Sequence, residues 1–167
     1  NWHLELNQGQ IFDRLIYNVY ESNHAYIKEL IQNSLDATRC RIALDSGSSG
    51  SIKESDHLKY PIRIELSTIQ VRNELSGVDE TKQLLVIEDL GVGMSDKVIR
   101  EHFLQVGSSY YMSKDFKERF SFVPTSRFGV GFLSVFSASD DVTVDTVSAL
   151  NTKGGDGVRM RLTGPRN

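Results

Sequence analysis

The chain has a single cysteine, Cys40, so no disulfide can form within it and no cluster of several thiolates can hold a metal. Cys40 follows Thr38-Arg39 at the end of a helical pattern and reads as a small, semi-buried side chain, the usual behaviour of a free cysteine. A reducing, cytoplasmic setting is the expectation. Long apolar runs are missing too. None approaches the ~18–20 residues needed to span a bilayer, so no membrane association is expected. Surplus charge of either sign is absent: a net charge of -3 and a pI near 5.8 give no pull toward nucleic acid or acidic lipid. The histidines, His3, His24, His57 and His102, lack metal-ligand spacing and are expected to be solvated or satisfied. The opening Asn1-Trp2-His3-Leu4 has neither an initiator methionine nor a signal pattern, and the end at Gly164-Pro165-Arg166-Asn167 is abrupt. A domain cut from something longer, or a processed or tagged chain, is expected.

What is present suits one domain. The 167 residues, 39% hydrophobic and 25% charged, have the length and composition for a sizeable core. Trp2-His3-Leu4-Glu5-Leu6 alternates as a short strand, and apolar residues spaced by three or four from Ile11 to Tyr20 predict an amphipathic helix. Ser22-Asn23 supplies cap chemistry for a second helix over residues 25–37, extending to about Ile42. Residues 45–60, rich in serine and glycine, read as a flexible loop. Ile62-Arg63-Ile64-Glu65-Leu66 alternates as a half-buried strand, and Leu84-Leu85-Val86-Ile87-Glu88 reads as a more buried one. Ser95-Asp96 caps a helix carrying Val98, Ile99, His102 and Phe103. Residues 106–126 form a long polar and aromatic excursion, the kind of loop that is usually functional or disordered. A glycine-rich turn then opens an apolar helix through Phe136, and strands close the chain at residues 142–146 and 158–162. This order predicts an α+β fold: a two-layer sandwich of a mixed, mostly antiparallel sheet covered on one face by helices.

Three signals carry chemistry. Glu29, Asn33 and Asp36 stand at offsets of four and seven residues, which places them within roughly 60° on one helix face. Ile27, Leu30, Ile31 and Leu35 fall mostly elsewhere and can face the core. Alone, the polar face is more simply a solvated one. Asp89-Leu90-Gly91-Val92-Gly93-Met94 ends a strand; it can be a plain turn, or a carboxylate that accepts an exocyclic amine beside glycines that admit a flat ring. Gly129-Val130-Gly131 leads into a helix, where free backbone N–H groups favour anionic oxygen, although it lacks the GK[ST] ending of a P-loop.

In the order E-x-x-x-N-x-x-D-A, D-x-G-x-G-M and F-G-V-G-F-x-S, these signals resemble the gyrase, heat-shock chaperone, histidine kinase and MutL group of ATPases. The ninety-kilodalton heat-shock chaperone branch is the nearest in pattern, over about residues 4–162. The resemblance implies a Bergerat-type ATP-binding fold, ATP or ADP with Mg²⁺ as ligands, and slow ATP hydrolysis coupled to conformational change. It implies homodimerisation of the full-length protein with ATP, client proteins, and no nucleic-acid partner. Glu29 is then the general base, Asn33 the Mg²⁺ ligand, and Asp36, with Ala37, lies near the base and ribose. Asp89 receives the adenine amine, with Gly91, Gly93 and Met94 lining the base. Ser108, Ser109, Arg127, Phe128, Gly129, Val130, Gly131 and Phe132 surround the phosphates, and residues 106–126 form a nucleotide lid. The alternative is a nucleotide-binding switch with little or no turnover, which the presence of Glu29 disfavours. Three departures mark a divergent relative. The lid starts Gly107-Ser108-Ser109-Tyr110 instead of with a Lys-Ser pair, Arg127 replaces Gln, and Val158 instead of Thr follows Gly157.

Overall fold

The computed structural model describes residues 24–47, 50–73, 76–126, 129–150 and 157–164. The expected strand at residues 2–6, the helix from Ile11 and the Ser22-Asn23 cap lie outside them. The first described element, α1, runs Ala25–Ser46, a turn further than the spacing predicts, and stops where Gly47 adopts φ 62°, a left-handed cap that glycine takes without steric cost. Its N-terminal residue His24 makes no side-chain capping bond.

In the second half of α1, Ser34, Asp36, Thr38, Cys40 and Ile42 are all buried, so this part of the helix is enclosed on most sides. Two clusters pack against α1, one on its second half and one near its start. Cys40, Val92, Phe116 and Phe120 form one, with Ala37, Ala43, Tyr110, Tyr111, Phe122 and Leu150 against it. Val135 and Phe136 form the other, flanked by Tyr26, Leu30, Phe132, Leu133, Val142 and Leu162. Leu35 is 38% exposed, so the expectation that it faces the core is corrected.

A short helix, α2 (Asp56–Lys59), interrupts the segment read as a loop. The Tyr60 hydroxyl donates to Asp45 at 2.7 Å and returns this segment to the end of α1. Strands β1 (Arg63–Arg72) and β2 (Asp79–Glu88) pair antiparallel from Arg63↔Glu88 to Arg72↔Asp79. Both are longer than their apolar cores suggest, because cross-strand pairing continues through polar positions such as Gln70 and Thr81, whose side chains bond at 2.9 Å. Leu84 and Val86 of β2 are 40% and 42% exposed against 52% and 65% for Ile64 and Leu66 of β1, so β2 is the more buried of the two over these stretches, although neither is enclosed.

After the loop at residues 89–95, Ser95 accepts from Val98 N–H at 3.3 Å and caps α3 (Asp96–Val98), which widens into a π turn at Ile99–Phe103. The long excursion is ordered by aromatic packing. A 3₁₀ turn (Tyr110–Met112) precedes α4 (Lys114–Arg119), capped by Ser113. Phe116 meets Tyr110, Tyr111 and Phe122 edge-on, with ring centroids 5.8, 5.3 and 5.6 Å away, the geometry favoured by the ring quadrupole.

The glycine-rich segment opens the expected apolar helix, which takes the tighter 3₁₀ form over Gly131–Ser137. Strands β3 (Asp141–Thr146) and β4 (Val158–Thr163) pair antiparallel, with Val142↔Leu162 and Val144↔Met160 on one face. The fold is α+β, and among the described residues the strands form two separate antiparallel ladders, with no parallel pairing.

Candidate functional site

A broad cleft of about 2750 Å³ lies between α1, the glycine-rich turn and the two ladders. Single small ligands fill roughly 300–1,000 Å³, so the polar groups, and not the volume, define any binding end. Glu29, Asn33 and Ala37 of α1 line the cleft together with Asp89, Gly91, Gly93, Met94, Ser108, Ser109, Gly129, Val130, Gly131 and Phe132. Residues more than a hundred positions apart in the chain thus share one wall. Arg127 and Phe128 lie outside the described residues.

Glycines set the closeness of this assembly. A Cβ on Gly131 would overlap Glu29 Oε2, so the carboxylate rests directly on the glycine-rich turn. Gly129 has φ 65°, and a Cβ there would collide with the Ser108 carbonyl. Gly107 N–H donates to the Gly129 carbonyl at 3.2 Å, which ties the start of residues 106–126 to the same turn. Only glycine permits these approaches.

The loop after β2 is threaded between two elements. Val92 N–H donates to the Ala37 carbonyl at 3.0 Å, and Ala149 N–H to the Val92 carbonyl at 2.8 Å. A Cβ on Gly91 would come within 2.6 Å of Ala37 Cβ. Gly93, at φ 62°, lies against the Val147 carbonyl. Asp89 Oδ1 accepts from Gly91 N–H at 2.9 Å, an Asx turn that fixes the carboxyl plane while Oδ2 makes no bond to another described residue. Half-buried Glu29 and Asn33 likewise have no hydrogen bond to another described side chain, and partly desolvated polar groups of this kind are built for a ligand or for water.

Two cleft residues escaped the sequence reading. Thr146 Oγ1 accepts from Met94 N–H at 2.9 Å. A hydroxyl therefore sits beside the Gly93-Met94 corner even though Val158, its cross-strand partner, has none. His102 lines the cleft and bonds through Nδ1 to Ser108 Oγ at 2.9 Å, while Ser108 Oγ donates to the Glu101 carbonyl at 3.0 Å. With the hydroxyl proton on that carbonyl, Nδ1–H is the donor; with it turned to the ring, Nδ1 accepts instead. The i to i+6 spacing of His102 and Ser108 is a signal that motif reading passed over.

Asp36 is corrected. It is fully buried, is not part of the cleft wall, and directs its carboxylate at backbone N–H groups of residues 125 and 126. The short 3₁₀ turn at Gly131 also lacks the long dipole of an α-helix. Affinity for phosphate would have to come from individual N–H groups. Among the described residues no group of three or more His, Cys, Asp or Glu side chains could hold a metal, and no helix is long and apolar enough to cross a membrane.

Comparison with known proteins gives this wall its context. The family described as histidine kinase-, DNA gyrase B- and HSP90-like ATPase matches residues 20–156. Chaperone protein HtpG of Chlorobium phaeovibrioides is 29% identical over 163 residues, 93% of this chain and 23% of that protein. HtpG of Chlorobaculum tepidum is 31% identical over 148 residues, 83% of this chain and 21% of that protein. The corresponding protein of Psychromonas ingrahamii is 28% identical over 89% of the chain. The chain thus spans under a quarter of these relatives. With a match across most of its length, and with the three motif segments meeting in one cleft, the chain belongs to the histidine kinase-, DNA gyrase B- and HSP90-like ATPase family, as an ATP-binding domain similar to that of HtpG chaperones.

Proposed function

We propose that the cleft binds ATP with Mg²⁺ and hydrolyses it to ADP and phosphate, with nucleotide state driving the conformational cycle of a chaperone. The observation that carries this reading is the contact of the Glu29 carboxylate with Gly131, one helical turn from Asn33. It puts a base, a neutral oxygen ligand and a glycine-rich backbone at one end of the cleft. Asp89, with one oxygen fixed by Gly91 and the other open, stands at the far end as the acceptor for the adenine amine. Met94 and Gly93 flank the ring, and Thr146 supplies the hydroxyl there.

Asn33 Oδ1 would hold Mg²⁺, an ion that needs few protein ligands and would supply charge neutralisation at the phosphates. Glu29 removes a proton from water as the water oxygen bonds to the γ-phosphorus, and the bond to the β,γ-bridging oxygen breaks, releasing ADP. Ser109 and the backbone of residues 129–132 hold the phosphates, and Ser108 lines that end of the cleft. Residues 106–126 act as the lid, with Gly107 as its hinge. The two ladders complete one mixed sheet under a helical layer. The whole protein works as a cytoplasmic homodimer on client proteins, without nucleic-acid or membrane partners.

The test is calorimetric titration with ADP and a non-hydrolysable ATP analogue, with and without Mg²⁺, followed by single-turnover hydrolysis. Asp89→Asn is expected to abolish binding, while Glu29→Ala preserves binding and loses hydrolysis. Equal loss of binding in both variants would sink this division of roles, and an unaltered chain that binds but never hydrolyses would favour a switch module.

A further inference from the structure

Asp36 shares α1 with Glu29 and Asn33 but faces another structure. Its carboxylate has no exposure, and a buried charge is tolerable only when paired and hydrogen-bonded. Oδ2 accepts from Thr125 N–H at 2.8 Å and Ser126 N–H at 2.7 Å. Oδ1 meets Arg39 Nη1 at 3.5 Å. Arg39 in turn donates to the Val123 carbonyl at 3.0 Å and the Gly50 carbonyl at 3.4 Å, and its guanidinium lies 4.1 Å from the centre of the Phe122 ring. Gly50, at φ 73°, is close enough to that ring that a Cβ would lie 2.7 Å from it. One carboxylate and one guanidinium therefore join three separate stretches: α1, the segment after it, and residues 122–126.

Residues 125 and 126 lead directly into the glycine-rich turn. Three residues beyond Ser126, the Gly129 carbonyl receives Gly107 N–H, and Gly131 meets Glu29. We propose that Asp36 and Arg39 are positioning residues that clamp the C-terminal end of the lid to α1 and so fix the glycine-rich turn against Glu29. The lid is then held at its C-terminal end by this clamp and at its centre by the packing of Phe116. The inference rests on the ATPase reading of the cleft. The chemistry suits a carboxylate better than its isostere: an asparagine can keep both backbone N–H groups on its one oxygen only by turning its NH₂ toward the Arg39 guanidinium, donor against donor, and it loses the charge that strengthens all three contacts. Arginine is required in the same sense, because its fork reaches several carbonyls and stacks on a ring while a lysine ammonium cannot.

The clamp should affect turnover more than ADP affinity, since the loop carrying Asp89 is fastened to α1 separately through Val92 and Ala37. The experiment measures amide exchange at Thr125 and Ser126, ADP affinity and single-turnover hydrolysis in the unaltered chain, Asp36→Asn, Arg39→Ala and Arg39→Lys. Exchange at the two amides is expected to accelerate at least ~10-fold in Asp36→Asn. Hydrolysis should fall roughly 10- to 100-fold, the usual cost of misplacing a catalytic group by about 1 Å. ADP affinity should stay within about 3-fold. Arg39→Ala should show the same split more weakly, and Arg39→Lys should recover part of it. Loss of ADP binding in Asp36→Asn comparable to that in Asp89→Asn would overturn the proposal and return Asp36 to the nucleotide. So would unchanged exchange at residues 125 and 126. If Asp36→Asn does not fold, Arg39→Ala carries the test, and full hydrolysis there refutes the clamp. Absence of ADP binding in the unaltered chain refutes the ATPase reading instead, while exchange at the two amides still reports whether the clamp exists.

Discussion

Replacing Gly131 with alanine isolates the contact on which the catalytic reading depends. The new Cβ would overlap Glu29 Oε2, so the carboxylate must retreat by roughly 1 Å. That oxygen is the far end of a flexible side chain, and it can move without disturbing the backbone. Gly131 opens a 3₁₀ turn and is not among the glycines with positive φ, so alanine fits its conformation. A compatible Gly→Ala change is neutral or stabilises by ~0.4–1 kcal/mol through the unfolded chain. Misplacing a catalytic group by that distance costs about 100-fold in rate, equivalent to ~2.7 kcal/mol of barrier. The expected result is therefore a split: a thermal midpoint unchanged or slightly raised, ADP affinity within about 3-fold, and hydrolysis down about 100-fold. Single-turnover release of labelled phosphate, calorimetry and thermal melting read the three quantities. Hydrolysis at the unaltered rate in a folded Gly131→Ala would mean that Glu29 does not act from its position against the turn.

Other residues lead to further expectations. Gly93→Ala must force alanine into a left-handed conformation against the Val147 carbonyl, and should lower stability by ~1–3 kcal/mol in denaturant titration. Phe116 is 2% exposed at the centre of the aromatic cluster, so Phe116→Ala should cost about 3–5 kcal/mol and release residues 110–122 to proteolysis. Burial, aided by the Asp36 charge and opposed by Arg39, pushes the Cys40 thiol from 9.0 up to about 12. Since the folded value is the higher one, the thiol's contribution to stability is complete below pH 9 and is lost as pH rises toward 12. Thiol-labelling reagent at pH 8 should modify the folded chain far more slowly than the chain in denaturant, and equal rates would contradict the burial.

The departures from expectation follow a physical pattern. Glu29 and Asn33 were legible because their relation is set by one turn of one helix, and the Asp89 and Gly129 segments because tight turns demand glycine locally. The excursion at residues 106–126 looked irregular since its order comes from Phe116 meeting rings at several sequence separations, which no periodicity records. The strands ran longer than their apolar cores because pairing continued through polar residues whose partners lie on the other strand.

The sequence by itself determined the chemistry available at the cleft: a carboxylate and an amide four residues apart, an aspartate before paired glycines, and a glycine-rich turn. These are local, and local backbone geometry is enough to display them. Only the tertiary structure decided how they were used. Helical spacing placed Asp36 on the same face as Glu29, but two N–H groups 89 and 90 residues away, on Thr125 and Ser126, claimed its carboxylate. Likewise a hydroxyl 52 residues from Met94, on Thr146, accepts the Met94 N–H. A buried donor must find an acceptor, and which acceptor it finds depends on where distant segments of the chain are brought to rest.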